Sequence, residues 1–118
     1  MNEGTEIRIE QIDSVSLFDI RGDVTAASEP VFRKAYEDAG GKALSSILLK
    51  FEPTAYINSG GIAVLIQLLA RSRQHNQKVG ITGLSDHFKK IFQMVGIAKL
   101  SKIFASAEEA LSAMSGGS

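Results

Sequence analysis

The sequence predicts a single α/β domain with a mixed sheet of four to five strands and about four helices, mainly on one side of the sheet. Three observations support this fold class. Segments with strand periodicity alternate with segments of helical periodicity, in the order ββαβαβαβα. One strand-like segment, residues 46–51, is apolar almost throughout, as in a sheet covered on both faces. The length of 118 residues suits one domain with a core of its own.

The first two predicted strands form a hairpin. Residues 6–12 and 15–21 alternate between apolar and polar side chains, and the break at Asp13 and Ser14 suits a tight turn. The first strand is expected to be an antiparallel edge strand, and an exposed edge also allows weak pairing between two copies of the chain. The apolar positions predicted to face inward are Ile7, Ile9, Ile12, Val15, Leu17 and either Phe18 or Ile20.

The first helix is predicted between Ser28 and the glycine pair at 40 and 41. Ser28 is a candidate N-cap, and Pro30 falls in the first turn, where its missing N–H costs little. The glycine pair ends the helix. Apolar side chains recur at the spacing of one buried helical stripe: Phe32, Ala35, Tyr36 and Ala39.

The second helix is predicted over about residues 60–74 and is apolar around most of its first half. Little polar circumference remains before Arg71. The helix therefore either lies buried against the sheet and its neighbours or presents an apolar surface to a partner. Its apolar residues are Ile62, Val64, Leu65, Ile66, Leu68 and Leu69.

The last third of the chain repeats the strand–helix pattern twice. A strand within residues 79–84 precedes a helix that is capped by Ser85 and ended by Gly96. A short last strand is predicted within residues 97–104, and Ser106 begins a final helix. The residues expected in the core include Ile47, Leu49, Leu65, Ile81 and Phe92.

Composition argues against several classes of function. The chain has no cysteine, which excludes disulfides, a thiolate nucleophile and cysteine metal ligands. Its two histidines, His75 and His87, lack metal-ligand spacing and are interpreted as exposed helix-end residues. No metal, cofactor or catalytic residue is predicted, and an enzyme is the weakest hypothesis. No apolar run approaches the roughly 20 residues of a membrane span, and no signal segment is recognised, so a cytoplasmic protein is expected.

Charge is unevenly distributed, although 13 basic and 13 acidic residues cancel. Residues 71–102 hold seven lysines and arginines against Asp86 alone, a net charge of +6. A solvated face is the favoured interpretation, and a docking surface for an acidic partner is the alternative. Nucleic acid is not predicted as a partner, because no aromatic side chains alternate with these bases.

Residues 56–65 pass from a loop into the second helix and contain the candidate functional residue, Ser59. The glycines at 60 and 61 allow close approach of another chain or a phosphate. A phosphate on Ser59 would lie at the positive end of the helix dipole. From spacing alone, the favoured interpretation is that Asn58 or Ser59 simply caps the helix. A phosphate-binding loop is not indicated, because no Lys-Ser/Thr pair follows the glycines.

This segment resembles the STAS domain of bacterial anti-sigma-factor antagonists, whose signature is an aromatic-apolar-Asp-Ser-Ser/Thr-Gly-Leu-Gly-Val-Leu stretch. Two further stretches fit in the right order. Residues 22–24 lie where the family has Gly-Glu-Leu/Ile, and residues 90–97 are similar to its late Arg-Leu-Phe-x-x-x-Gly-Leu helix end. The resemblance covers nearly the whole chain. The signature positions that match are Tyr56, Ile57, Ser59, Gly61, Val64 and Leu65, with Ile62 in place of leucine.

The resemblance implies a binding module that is switched by phosphorylation. In that family, an anti-sigma factor with serine kinase activity phosphorylates the serine at the position of Ser59. The unphosphorylated form binds this kinase and so frees a sigma factor, and a phosphatase is implied as a further partner. The partner-binding residues implied by the resemblance are Asp23, Thr25, Asn58, Ser59, Gly60, Gly61 and Ala63.

Three positions depart from the family pattern. Asn58 and Thr25 stand where the family has aspartate, and Gly60 replaces a second hydroxyl residue. Loss of both acids changes the local electrostatics and implies either altered kinase pairing or a domain that is not phosphorylated. The alternative hypothesis is a non-phosphorylated scaffold subunit of another assembly, such as a lipid-transport ATPase complex or a stressosome-like particle. Residues 1–114 are expected to form the domain and residues 115–118 a flexible tail.

Overall fold

The computed structural model describes residues 4–115 and contains a five-stranded sheet and four α-helices, which confirms the predicted fold class. Short 3₁₀ turns cover Ala26–Ser28, Gly41–Ala43 and Ile97–Lys99. Among these residues, no helix combines the length and apolarity that a membrane crossing requires. In chain order the elements are β1 (Glu6–Ile12), β2 (Val15–Arg21), α1 (Glu29–Ala39), β3 (Ser46–Lys50), α2 (Ser59–Gln74), β4 (Lys78–Thr82), α3 (Asp86–Met94), β5 (Lys102–Ile103) and α4 (Ala107–Ser115).

The strands follow each other in the sheet in the order β1-β2-β3-β4-β5. β1 is antiparallel to β2, and the other neighbouring pairs are parallel. Asp13, with a φ of 53°, lies in the tight turn between the first two strands. The predicted antiparallel edge strand is confirmed.

The sheet separates two hydrophobic cores. Alternate residues of a strand point to opposite faces, so Ile47 and Leu49 join the larger core whereas Leu48 joins the smaller one. Helices α1, α2 and α3 cover the larger core, and α4 covers the smaller core. Three of the four helices thus lie on one side, as predicted. The five residues expected in the core, Ile47, Leu49, Leu65, Ile81 and Phe92, are all fully buried.

Two details of the predicted hairpin differ in the structure. Phe18 and Ile20 are both buried in the larger core, while Val15 and Leu17 face the smaller one, so β2 has no solvent face. Ile9 was expected to face inward but is 38% exposed. Its strand is the edge of the sheet, where little covers it.

A buried polar cluster ties the end of α1 to the start of β4. The Tyr36 hydroxyl donates to Gln77 Oε1 (2.9 Å). The Gln77 amide nitrogen donates to the carbonyl oxygens of Gly41 and Leu44, both at 2.9 Å. Both side chains are buried, and their polar groups are satisfied by one another and by the backbone.

The C-terminal helix extends into the segment expected to be a tail. Ser115 is the last residue of α4, and its hydroxyl donates to the carbonyl oxygen of Leu111 (2.7 Å). The remainder of that segment, residues 116–118, lies outside the described residues.

Candidate functional site

Two loops are joined at the edge of the sheet where β2 and β3 end. Because these strands are parallel neighbours, the loops that follow them leave the sheet side by side. The Val24 N–H donates to the carbonyl of Tyr56 (2.9 Å), and the Asn58 N–H donates to the carbonyl of Val24 (3.2 Å). Val24 and Ile57 form an isolated parallel bridge. The loops thus continue the pairing of the two strands beyond their ends.

Polar side chains add further connections between these loops. Asp23 Oδ1 accepts a hydrogen bond from the Tyr56 N–H (3.0 Å), and Glu52 Oε1 accepts one from the Gly22 N–H (2.9 Å). Neither bond could be foreseen, because the partners lie about thirty residues apart in the sequence. Glu52 is a positioning residue that sequence reasoning missed.

Asn58 caps α2 and leaves Ser59 free at its first position. The Asn58 backbone is extended, and its side-chain oxygen accepts from the Gly61 N–H (2.9 Å). This geometry decides between the two capping residues that the sequence allowed. Ser59 is exposed, and its hydroxyl has no hydrogen-bond partner among residues 4–115. The hydroxyl is therefore accessible from solvent.

The glycines of this segment serve contacts within the chain. A Cβ on Gly61 would lie 2.2 Å from the carbonyl oxygen of Val24, and one on Gly60 would lie 2.9 Å from the backbone nitrogen of Ala26. The close approach expected here is thus made by the chain's own loop. Gly61 is buried, and its close contact with Val24 positions the loop.

Thr25 and Ser28 form a capping box at the 3₁₀ turn before α1. The Thr25 hydroxyl accepts from the Ala27 N–H (3.1 Å), and the Ser28 hydroxyl accepts from the Thr25 N–H (2.9 Å). Ser28 occupies the N-cap position of α1, but its side chain makes no capping bond there. Ser28 is thus the N-cap residue of α1 by position, as predicted, but its hydroxyl bonds within the preceding turn and does not cap the helix.

The residues implied as partner-binding differ in their exposure. Thr25, Asn58 and Gly60 are half-buried. Asp23, Ser59 and Ala63 are exposed, and Ser59 and Ala63 lie one turn apart on the same face of α2. Tyr56 adds an apolar surface nearby: it is 58% exposed and contacts the ring of Phe88 edge-on.

The outer side of α2 is neither wholly buried nor broadly apolar. Val64, Leu65, Leu68 and Leu69 face the core, and Ile62 and Ile66 are half-buried. The exposed side carries small or polar residues, among them Ala63 and Gln67. Arg71 is twelve residues beyond Ser59, about 18 Å along the helix. A partner that reached both residues would cover three turns of α2.

Other candidate groups lie apart from this site. His75 follows the last turn of α2 and His87 lies in the first turn of α3, and both are exposed. Within residues 4–115, no group of three or more histidine, aspartate or glutamate side chains is placed to hold a metal ion. The geometry therefore centres on the hydroxyl of Ser59 and the two loops behind it.

Together, fold and site define a small α/β domain whose candidate functional group is an exposed serine at a helix start. Residues 6–110 match the model of the STAS domain family, and the chain belongs to that family. The resemblance seen in the sequence motifs is confirmed.

A related protein is similar to this chain over most of its length. The anti-sigma-B factor antagonist of Listeria monocytogenes is 24% identical over 103 residues, which cover 87% of this chain and 90% of the relative.

Solved structures share the fold at low sequence identity. An anti-sigma factor antagonist from Mycobacterium paratuberculosis superposes with a TM-score of 0.76 at 14% identity, covering 96% of both chains. The antagonist SpoIIAA in its unphosphorylated form superposes with a TM-score of 0.67 at 13% identity, covering 95% of this chain and 99% of SpoIIAA. SpoIIAA of Bacillus in its phosphorylated form superposes with a TM-score of 0.65 at 15% identity. The match covers 91% of this chain and 97% of SpoIIAA.

Proposed function

We propose that this chain is an anti-sigma-factor antagonist that acts by partner switching in the cytoplasm. It binds an anti-sigma factor with serine kinase activity while Ser59 is unphosphorylated, and releases it when Ser59 carries a phosphate. A phosphatase resets the switch. The observation that carries this proposal is the exposed Ser59 hydroxyl, without a hydrogen-bond partner in residues 4–115, at the first position of α2. The names of the similar proteins support the same function.

The start of α2 can accommodate a phosphate without loss of the fold. The N–H of Gly61 is used by the Asn58 cap, but those of Ser59 and Gly60 have no acceptor within the described chain. A phosphate adds about −1.5 to −2 charges at neutral pH and three acceptor oxygens. Free N–H groups and the positive end of the helix dipole stabilise such a group. We therefore expect the phosphorylated protein to stay folded.

The departure at Asn58 is compatible with phosphorylation. The amide oxygen of Asn58 caps α2, as a carboxylate oxygen would, but it carries no charge. A phosphate on Ser59 therefore meets no carboxylate at the N-cap. Thr25 likewise supplies the hydroxyl acceptor that its turn needs. Asn58 and Thr25, which stand where the family has aspartate, thus make the local hydrogen bonds without a negative charge.

Release of the partner then arises at the interface. Asp23, Ser59 and Ala63 are exposed, and a partner surface that fits the Ser59 hydroxyl has no room for a dianion. Repulsion and the cost of desolvating the phosphate both weaken the complex. The switch needs no large conformational change, because the loops behind Ser59 are hydrogen-bonded to one another.

The decisive experiment combines capture with phosphorylation. Wild type, Ser59→Ala and Ser59→Asp are used to capture proteins from the source cell. A protein with a histidine-kinase-like ATP-binding domain should be enriched on the first two and reduced on Ser59→Asp. The purified kinase with Mg-ATP should then add one phosphoryl group to wild type but none to Ser59→Ala, as measured by intact mass.

Ser45→Ala is the matched control, because Ser45 is also exposed but lies before β3. It should accept phosphate like wild type. No mass gain on wild type, or an equal gain on Ser59→Ala, would contradict the proposal. Stable capture of transporter or stressosome-like subunits without phosphorylation would instead favour the scaffold hypothesis.

The extent of the interface can be tested with two substitutions. Asp23→Ala and Arg71→Ala should both weaken capture of the kinase, while circular dichroism stays unchanged. Since Asp23 also bonds the Tyr56 N–H, Asp23→Asn is included because it keeps an acceptor oxygen at that position. Full binding by Arg71→Ala would confine the interface to the first turns of α2.

A further inference from the structure

We propose that two copies of this chain associate through β1, in an antiparallel pairing centred on Ile9. β1 is an edge of the sheet, and among residues 4–115 it pairs only with β2. An edge strand presents a row of backbone N–H and C=O groups that can pair with another strand. The inference does not rest on the proposed function.

The sequence of β1 is complementary to itself in this register. Ile9 is the midpoint of Glu6–Ile12, so pairing centred there aligns all seven residues of the strand. Arg8 of each copy then lies opposite Glu10 of the other, and Ile9 lies opposite Ile9. Opposite charges and apolar pairs directly across two strands are stabilising, whereas like charges are destabilising.

Other registers that keep the two faces aligned are less favourable. Centring on Arg8 sets Arg8 against Arg8 and Glu6 against Glu10. Centring on Glu10 sets Glu10 against itself. Centring on Ile7 pairs Glu6 with Arg8, but it aligns only residues 6–8 of the strand with each other. The charges of β1 and the number of aligned residues together select the register centred on Ile9.

The groups needed for this contact are free in the single chain. Within the described part, the side chains of Arg8 and Glu10 make no hydrogen bond or ion pair, and Ile9 is 38% exposed. Ile9 also borders a mainly apolar cleft of about 350 Å³ between β1 and α1. That cleft is further lined by Ile7, Pro30, Val31, Lys34, Ala35 and Asp38.

The contact is small, and it leaves the Ser59 site accessible. A single pair of strands buries less area than a stable dimer, so we expect a dissociation constant of about 0.1–1 mM. β1 is separated from β3, the strand before the Ser59 loop, by β2. A dimer would therefore present two Ser59 sites.

Sedimentation velocity of the full chain tests the proposal over about 10 µM to 1 mM protein, a range that begins below the expected dissociation constant and ends at its upper limit. Wild type should show a sedimentation coefficient that rises with concentration. Glu10→Arg sets two arginines opposite each other at both charge pairs and should weaken association at least about tenfold. Glu108→Arg, on exposed α4 surface, changes the net charge equally and should associate like wild type.

The register is tested by mixing variants. Arg8→Glu and Glu10→Arg should each self-associate more weakly than wild type, whereas an equimolar mixture of the two restores opposite charges at both pairs and should associate like wild type. The double variant should self-associate again. Arg8 lies opposite Asp19 within the chain, so the thermal midpoint of Arg8→Glu is measured as well. Glu10 lies opposite Leu17, so its replacement changes no cross-strand charge pair within the chain.

Three results would overturn the proposal. One is a wild-type chain that stays monomeric at about 1 mM, where at least about half of the chains should be paired if the dissociation constant is about 1 mM or lower. Another is self-association of Glu10→Arg that equals wild type. The third is a mixture of the two single variants that remains monomeric although both are folded.

Discussion

Replacement of Gly61 by alanine tests the loop packing that positions Ser59. The new Cβ would lie 2.2 Å from the carbonyl oxygen of Val24 and 2.6 Å from its carbonyl carbon. Ordinary non-bonded contacts of carbon lie near 3.5–4.0 Å, so the backbone at Val24 must move by about 1 Å or more. That movement strains or breaks the hydrogen bonds that Val24 makes with Tyr56 and Asn58.

The cost follows from these contacts. Overpacking costs about 1–3 kcal/mol, and each of two weakened hydrogen bonds about 0.5–1.5 kcal/mol. Alanine offsets up to about 1 kcal/mol through its higher helix propensity. We expect Gly61→Ala to lower the free energy of unfolding by about 1–5 kcal/mol net.

Urea unfolding followed by circular dichroism measures the change. Gly60→Ala, whose Cβ would lie 2.9 Å from Ala26, should cost less than Gly61→Ala. Ala63→Gly is the matched control, since it reverses the substitution at an exposed site of the same helix and should cost only about 0.5–1 kcal/mol. If Gly61→Ala destabilises no more than Ala63→Gly, the two loops are not packed as described.

Three further substitutions test the core, the buried polar cluster and the helix cap. Leu65→Ala should cost about 2–5 kcal/mol in urea unfolding because Leu65 is fully buried, whereas Gln67→Ala on the exposed side should be nearly neutral; equal effects would contradict the helix orientation. Gln77→Leu should cost about 2–4 kcal/mol of unfolding free energy, since it leaves the Tyr36 hydroxyl and two carbonyls unsatisfied. Tyr36→Phe should cost less. A neutral Gln77→Leu would mean that the cluster is hydrated. Asn58→Ala should cost about 1 kcal/mol, while Asn58→Asp should retain wild-type stability or exceed it at low salt; loss of stability in Asn58→Asp would argue against the cap.

The order of elements and the core could be predicted because they depend on local patterns. Apolar spacing within each segment shows which side of a helix or strand is buried, and Leu65 and Phe92 are buried as that spacing indicates. Exposure of Ile9 could not be predicted in the same way. Its spacing is that of a buried position, and only its place at the sheet edge leaves it uncovered.

Contacts between distant loops could not be read from local patterns. The glycines at 60 and 61 indicated a close approach, but the approaching loop, at Val24, lies more than thirty residues earlier. Thr25 and Ser28 are both good capping residues, and the sequence does not show that the turn at Thr25 takes the hydroxyl of Ser28. Gln77 follows a polar helix end and looks exposed, yet it is buried against Tyr36.

The smaller core also has a consequence for synthesis of the protein. Val15 and Leu17 leave the ribosome early, whereas Ala110 and Met114, which cover them, are made about ninety residues later. Until α4 has emerged, one face of the sheet stays uncovered and is a target for chaperones. A chain that is truncated before α4 keeps this apolar face exposed and is open to degradation. Folding of this domain is therefore completed only after translation has passed α4.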